Sequence, residues 1–403
     1  MPRKLIFYLI LIGFLVVIFE IAGYLSRFID DDMYDYREQI LAKVDEVGLA
    51  EIKRGGLDPE LGWKPYGPRV TDDDNCQGTP VEYVFDRLGA RAYSGYDGAS
   101  AEIIVVGDSY SHGWEVAGDD AYAARLSRIL DVSVANHAFS GYGPVQAFLS
   151  LKQNIDHYPR VRIAILGIMY ENIFRMVNSY RPLLITKGTT YALKPYMEAG
   201  DIEPHPGYGA FEGVDTFKRY ANDAFDNDFW ARPPQRFPFF VSFIQAAGTN
   251  FFFYKKLPRK IRKIGLPEFA LAFRSNKFGQ ELNALLGLYA EFAKKRNIIP
   301  VVIFIPRDKF DTRSAAYFID KNRQRLSENL LIGDVGSATI DWERYNLLDA
   351  READNIRLCH PSPYAHQKIA EFIAELLKTA IPGQIEAQPL RSFASDHTAG
   401  PPL

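Results

Sequence analysis

Cysteine is scarce in this chain. Only Cys76 and Cys359 occur among 403 residues. They form no Cys-x-x-Cys pair and no zinc-ligand spacing, which removes those metal and redox motifs from consideration. Two cysteines this far apart either close one disulfide that fastens the N-terminal part over the C-terminal part, or stay as two buried thiols. Of the two, free thiols are expected. A surplus of one charge is missing as well. Lysine and arginine number 47 against 50 acidic residues, a formal net charge of −3. No basic footprint therefore points to a nucleic-acid partner. Apolar runs long enough for a bilayer are also few, and the clearest stands at the N-terminus.

Arg3 and Lys4 precede an apolar run from Leu5 to Phe19, which Glu20 interrupts and Ile21 to Leu25 extend. The run is about long enough to cross a membrane as a helix. No Ala-x-Ala site follows, so residues 1–29 are expected to be an uncleaved anchor rather than a cleaved signal peptide. Basic residues lie before the run and Asp30-Asp31-Asp32 after it. The positive-inside rule then places the N-terminus in the cytoplasm and the remainder outside, in the periplasm or at the cell surface, with Arg27 weakening the asymmetry.

Residues 30–100 read as a lead-in. Ile40, Leu41, Val44 and Val47 recur at helical spacing and predict one membrane-proximal helix from Tyr34 to Ile52. Glycine, proline and short β-type runs follow, with Val81–Phe85 the clearest strand.

From residue 101 to 381 the pattern is α/β. Apolar strands are predicted at Ile103–Val106, Val132–Asn136, Val161–Gly167 and Ile298–Ile305, with a weaker one near Ala338–Ile340. Helical patterns lie between several of them, such as Ala121–Leu130 and Glu281–Lys295. Continuous apolar strands alternating with helices predict a parallel sheet covered on both faces. Ligand sites in such sheets lie at the C-terminal strand ends.

A long insertion, about 174–280, separates the third and fourth strands. Within it Phe237–Tyr254 is uncharged and aromatic-rich, and a basic cluster follows at Lys255–Lys263. Pro238, Gln245, Gly248, Thr249 and Asn250 argue against a second membrane span. A hydrophobic subdomain with a solvated basic face is expected, and a membrane-surface or polymer-binding segment is the alternative. The tail, 382–403, is rich in Pro, Ser, Ala and Gly and is expected to be disordered.

Chemistry concentrates at four places. The first strand runs into Gly107-Asp108-Ser109, where a serine on a sharp strand-to-helix turn is lifted out of the sheet. Position 111 is serine, so this is not the Gly-x-Ser-x-Gly elbow of α/β-hydrolases. The loop after the second strand holds Gly141, where a backbone N–H can approach a ligand closely. The loop after the third holds Asn172, whose amide can donate to an oxyanion. Near the C-terminus, Cys359-His360-Pro361-Ser362-Pro363 puts a histidine in a loop before a helix that Ser362 caps and Pro363 starts. His360 is the candidate base, while His366, inside that helix, is expected to be a packed or surface residue.

In this order, the four places make the chain resemble the SGNH, or GDSL-type, hydrolases, in particular membrane-anchored bacterial members. The resemblance covers roughly Gly62 to Leu377 apart from the insertion. It implies a three-layer flavodoxin-like domain and hydrolysis or transfer of an O-linked acyl group. It also implies Ser109 as nucleophile, His360 as base, and an oxyanion hole from the Ser109 and Gly141 N–H groups with the Asn172 amide. No metal or organic cofactor is implied.

Three positions depart from the family pattern. Arg357 stands where the triad aspartate usually lies, three residues before the histidine. Asn172 is preceded by Tyr170-Glu171 and followed by Ile173 rather than set in Gly-x-Asn-Asp. Ala365 replaces the glycine before the second histidine. Asp354 is the candidate third member, and a backbone carbonyl orienting the imidazole is the alternative. The expected function is an anchored extracytoplasmic esterase or O-acyl transferase acting on acylated small molecules, envelope glycans or lipids. The alternative is a catalytically impaired relative that binds acylated polymer or scaffolds an envelope assembly.

Overall fold

The computed structural model describes residues 3–29, 34–65, 67–73, 75–76, 78–184, 190–204, 213–249, 276–309, 315–327, 329–349 and 357–382. The chain opens with the helix α1 (Arg3–Ile29). Lys4–Phe28 within it is long and apolar enough to cross a membrane; most of that stretch is exposed, with Gly23 and Ser26 buried near its C-terminal end.

The single helix expected from Tyr34 to Ile52 is two helices, α2 (Arg37–Leu41) and α3 (Glu46–Gly55). Asp45 separates them. Its carboxylate accepts the Gly48 N–H at 2.7 Å, an N-terminal cap that starts a new helix instead of continuing the old one. The lead-in strand Val81–Val84 is present, paired antiparallel with Arg69–Asp72. Tyr83 and Phe85 are buried at its inner side.

The main domain is a five-stranded parallel sheet. Its strands are β1 (Ile103–Val106), β2 (Val134–Asn136), β3 (Ile163–Met169), β4 (Ile299–Ile305) and β5 (Leu331–Asp334), in the spatial order β5-β4-β3-β1-β2. All residues of β1, β2 and β3 are buried. Alternate side chains serve opposite faces, as the strand pleat requires. Ile104, Val106, Leu166 and Phe304 join one apolar layer, and Ile103, Val105, Ile165 and Ile303 join the other.

The helices of this domain begin with the one-turn α4 (Ser109–His112), then α5 (Tyr122–Leu130) and α6 (Pro144–Asn154). The insertion carries α7 (Val214–Asn227) and α8 (Phe239–Thr249). After it come α9 (Asn276–Lys295), α10 (Ala316–Ser327) and α11 (Pro363–Ala380). Phe148 of α6 and Leu285 and Tyr289 of α9 cover the first face, and Leu126 of α5 with Ile369 and Ile373 of α11 cover the second. This is the three-layer α/β architecture the sequence pattern predicts.

One strand differs. Ala338–Ile340 is not a strand; the fifth strand is Leu331–Asp334, followed by a 3₁₀ turn at Val335–Ser337. Gly333 interrupts its apolar run because the Phe372 ring and the Leu376 side chain of α11 lie against it. A Cβ there would meet Phe372 at 2.7 Å and Leu376 at 2.9 Å. Close packing thus removes the residue type by which a strand is recognised.

The insertion returns to the N-terminal helix. α8 packs along α1, and Gly23 allows the approach, since a Cβ there would lie 2.6 Å from the Phe239 and Phe240 backbone. The Glu20 carboxylate, the one charge interrupting the apolar run, accepts the Phe239 N–H at 2.6 Å. The eleven described residues of α8 extend about 16 Å, about half the hydrocarbon thickness of a bilayer. The basic cluster at 255–263 and the tail from 383 lie outside the described residues.

Candidate active site

The strand β1 delivers Ser109. Between them, Gly107 sits where a Cβ would meet the Ser111 Cβ at 2.6 Å and the Gly167 carbonyl oxygen at 2.8 Å, so no side chain fits. Asp108 caps α4 by accepting the Tyr110 N–H at 2.8 Å. Its other oxygen accepts the Met169 N–H at 2.9 Å and the Asn172 side-chain amide. The turn that Ser109 starts is short because Gly113, at φ +77°, closes it in the left-handed conformation. The longer helix expected behind the serine, α5, follows only after this turn.

Ser109 and His360 meet. His360 Nε2 lies 3.0 Å from Ser109 Oγ. His360 arrives on a strand, Arg357–Pro361, rather than in a loop; this strand pairs antiparallel with Asn346–Asp349. The side chain of Ser362 then accepts the Ala365 N–H and starts α11, as the local sequence predicts.

An acid stands behind the histidine, and it is Glu115. Its Oε2 lies 3.2 Å from His360 Nδ1 and also accepts the His360 backbone N–H at 3.1 Å. The Cys76 N–H donates to the same carboxylate. Burial pushes the Glu115 carboxyl up, but the hydrogen bonds and charge of His360 and the Cys76 N–H outweigh it and hold the pKa below the usual glutamate value. Glu115 is therefore an ionised carboxylate at neutral pH. With Glu115 on Nδ1, the ring is oriented by a side-chain carboxylate, not by a backbone carbonyl. Asp354 lies outside the described residues.

The lead-in holds Glu115 in place. Glu115 has φ +68°, a left-handed conformation rarely adopted by a residue with a side chain. Its own N–H donates to Tyr83 Oη at 2.9 Å. Arg91 gathers the loop by donating to the carbonyls of His112, Gly113 and Val116, each at 2.5 Å. The Arg91 guanidinium also lies 4.7 Å over the Tyr83 ring, and Tyr83 stacks on Trp114 at 4.7 Å.

Cys76 and Cys359 form a disulfide, against the expectation of free thiols; their Cα atoms are 6.3 Å apart. The lead-in strands bring Cys76 to the far end of the chain, a proximity that sequence separation conceals. The bond joins the residue whose N–H holds Glu115 to the residue before His360. Cys76, Glu115 and Cys359 are also the grouping closest to a metal-ligand cluster among the described residues, but both sulfurs are spent on the disulfide.

The oxyanion candidates are at the C-terminal strand ends as expected. Ser109 and Gly141 give their N–H groups to no backbone carbonyl among the described residues. Gly141 has φ +85° and is flanked by Arg181 and Trp63. Asn172 is fully buried, and one of its two amide hydrogens goes to Asp108. Burial raises the Asp108 pKa, while the Met169 N–H, the Arg175 charge and the Asn172 amide oppose the rise.

His112, His137 and His366 are packed residues. His366 is wholly buried, and its Nδ1 accepts the Tyr122 N–H at 3.3 Å. Burial pushes it down to about 3. An open cleft of 520 Å³ lies between the lead-in and α6, lined by Leu61, Phe85 and Gln153, but neither Ser109 nor His360 borders it.

Glu115 was not legible in the sequence. The acid follows the serine by six residues rather than preceding the histidine, and its place depends on contacts from Cys76, Tyr83 and Arg91. The available signal was slight: one carboxylate in the otherwise uncharged stretch Gly113-Trp114-Glu115-Val116.

No family model and no curated protein matches the sequence. Solved structures do. A G-D-S-L family protein from Desulfitobacterium hafniense DCB-2 is 12% identical, with 68% of this chain and 98% of that one covered and a TM-score of 0.31. TesA is 11% identical, over 69% of this chain and 98% of that one, with a TM-score of 0.33. A carbohydrate esterase family 2 enzyme from Corynascus thermopiles is 10% identical, over 73% and 70%, with a TM-score of 0.34. Identities and TM-scores this low leave the functional reading to the chain's own geometry.

Proposed function

We propose that this protein is a membrane-anchored serine ester hydrolase, with Ser109 as nucleophile, His360 as general base and Glu115 as the acid that orients it. The observation that carries the reading is the continuous line from Ser109 Oγ to His360 Nε2, at 3.0 Å, and from His360 Nδ1 to Glu115, at 3.2 Å. A nucleophile, its base and the base's orienting carboxylate are each within reach of the next.

In the first step, His360 Nε2 takes the Ser109 proton as Oγ bonds to the ester carbonyl carbon. Negative charge moves to the carbonyl oxygen, where the Ser109 and Gly141 N–H groups and the second Asn172 amide hydrogen are the donors proposed to receive it. The imidazolium then protonates the departing alcohol, leaving an acyl group on Ser109. In the second step His360 deprotonates water, which attacks the acyl carbon, and Ser109 Oγ leaves with the proton. A sugar hydroxyl in place of water makes the same chemistry an O-acyl transfer. Glu115 fixes the Nδ1–H tautomer and stabilises the imidazolium.

The proposed substrates are acyl or acetyl esters of envelope glycans or lipids, reached from outside the cytoplasm. The apolar length of α1 and the disulfide, which suits an oxidising compartment, support that placement. The test is hydrolysis of 4-nitrophenyl acetate by the full chain in detergent. The wild-type protein turns it over, and Ser109→Ala falls to background. Equal rates in the two proteins sink the reading.

A further inference from the structure

Beside the candidate oxyanion loop stands a cation that forms no salt bridge with any described residue. Arg181 lies on a single 3₁₀ turn, Arg181–Leu183, after the Asn172 segment. Its Nη1 is the atom closest to Gly141, 2.5 Å from where a Cβ would stand, and the Trp63 ring edge is 3.4 Å from the same point. The guanidinium carbon lies 5.8 Å from the Trp63 ring centre. Its Nε is buried without a partner. Among the described residues no hydrogen-bond acceptor or carboxylate pairs with this guanidinium.

The surroundings sharpen the imbalance. Arg181, Arg175 and Lys194 lie within electrostatic reach of one another. The other two each donate to a backbone carbonyl, although the Arg175 Nε is, like that of Arg181, buried without a partner. Arg175, fully buried, donates to the Tyr142 carbonyl at 3.2 Å and feels both Glu171 and Asp108. Lys194 donates to the Arg175 carbonyl at 2.5 Å and feels Asp228. Arg181 feels only Glu171, whose carboxylate is 3.4 Å from Arg307. Burial pushes Arg181 down to about 9, with the Arg175 charge adding to the fall. Arg181 is half-buried, and a cation partly taken from water with its Nε unpartnered is costly unless something negative completes it.

We propose that Arg181, set between Gly141 and the Trp63 ring, binds an anionic group, carboxylate or phosphate, carried by the substrate near its ester. The proposal rests on the esterase reading for the word substrate, but the anion site itself stands on Arg181 alone. Two features fit an acidic sugar. The planar guanidinium presents paired donors to two oxygens of a carboxylate or phosphate. Trp63 is held rigid, its Nε1 donating to the Ser140 carbonyl at 3.2 Å and its own carbonyl accepting from Tyr142 Oη at 2.7 Å. The site thus offers a flat apolar face and a fork of donors beside the loop proposed to hold the oxyanion.

The test compares three matched esters, mono-O-acetyl glucuronic acid, mono-O-acetyl glucose 6-phosphate and mono-O-acetyl glucose, using the full chain in detergent. The wild type prefers at least one acidic ester over the neutral one. Arg181→Gln lowers that acidic-to-neutral ratio of kcat/KM by about tenfold or more, the usual worth of a charge-assisted contact, and Arg181→Lys recovers part of it. Preference for the glucuronate or the phosphate ester identifies which anion is read. A ratio that Arg181→Gln leaves unchanged, or a wild type with no acidic preference, overturns the proposal. A second arm removes the dependence on turnover. Ser109→Ala protein is titrated calorimetrically with glucuronate, glucose 6-phosphate and glucose, alone and with Arg181→Gln added. Arg181-dependent binding of an acidic sugar in a protein whose wild type hydrolyses nothing supports the anion site and refutes the esterase reading. Hydrolysis without any Arg181-dependent binding or preference does the reverse.

Discussion

Glu115 carries a distinct burden at the scale of single residues. It keeps an ionised carboxylate against His360 in a buried position, and it does so with a left-handed backbone. Replacing the carboxylate with an amide of the same shape separates charge from packing. Glu115→Gln is expected to lower kcat by about 10²-fold or more with little change in KM, because the imidazolium loses its stabilising charge only as it forms. Steady-state kinetics on 4-nitrophenyl acetate checks this, and an unchanged kcat would remove Glu115 from the relay. The positions of Ser109 and His360 were legible because each sits in a local motif, a strand end and a helix cap, whose geometry short-range sequence dictates. Glu115 was not, because a Tyr83 hydroxyl, a Cys76 N–H and an Arg91 guanidinium set its place from 24 to 39 residues upstream, by the separations in the sequence.

Between elements, the disulfide is the decisive contact. It ties the lead-in to the strand that bears His360 and so joins the two walls of the site. Cys76→Ser, Cys359→Ser or dithiothreitol treatment is expected to lower kcat, because the Cys76 N–H no longer fixes Glu115 against the imidazole. The same changes lower stability by about 3 kcal/mol, the usual worth of a native disulfide. The two effects are told apart by measuring kcat well below the variant's unfolding temperature. Full activity in a folded, reduced protein would show that the clamp has no part in positioning. The element scale is also where sequence reading succeeded best. Continuous apolar runs marked β1 to β4 within two residues at either end, since burial on both faces leaves no polar positions to confuse the pattern. It failed at β5, where Gly333 yields to the Phe372 ring and the Leu376 side chain of α11, and at α2 and α3, where the Asp45 cap divides one amphipathic stretch.

Taken whole, the molecule stores several neutral histidines in its interior. Burial holds His137 down to about 4 and His366 to about 3. An imidazole whose pKa is lower in the folded than in the unfolded state stabilises the fold fully above its unfolded value, near 6.5. That contribution is lost as pH falls toward the folded value. Asp334, raised to about 6 by burial, acts in the opposite sense, since its protonation favours the folded state as pH drops below 6. The histidine contribution to the thermal midpoint is therefore expected to fall as pH drops from 7 to 5. His366→Leu, even if less stable at pH 7, shows a smaller fall over that interval, and an equal fall would contradict the assignment. At the same scale, α1 is long and apolar enough to cross a membrane, and α8 packs along it. The measurement that bears most directly on the central claim is intact-mass analysis after exposure to a fluorophosphonate, a reagent that reacts with activated serines. The relay of Ser109, His360 and Glu115 predicts one adduct, mapped to Ser109, absent in Ser109→Ala and formed far more slowly in Glu115→Gln. A wild-type protein that stays unlabelled, or an adduct that persists in Ser109→Ala, would contradict it.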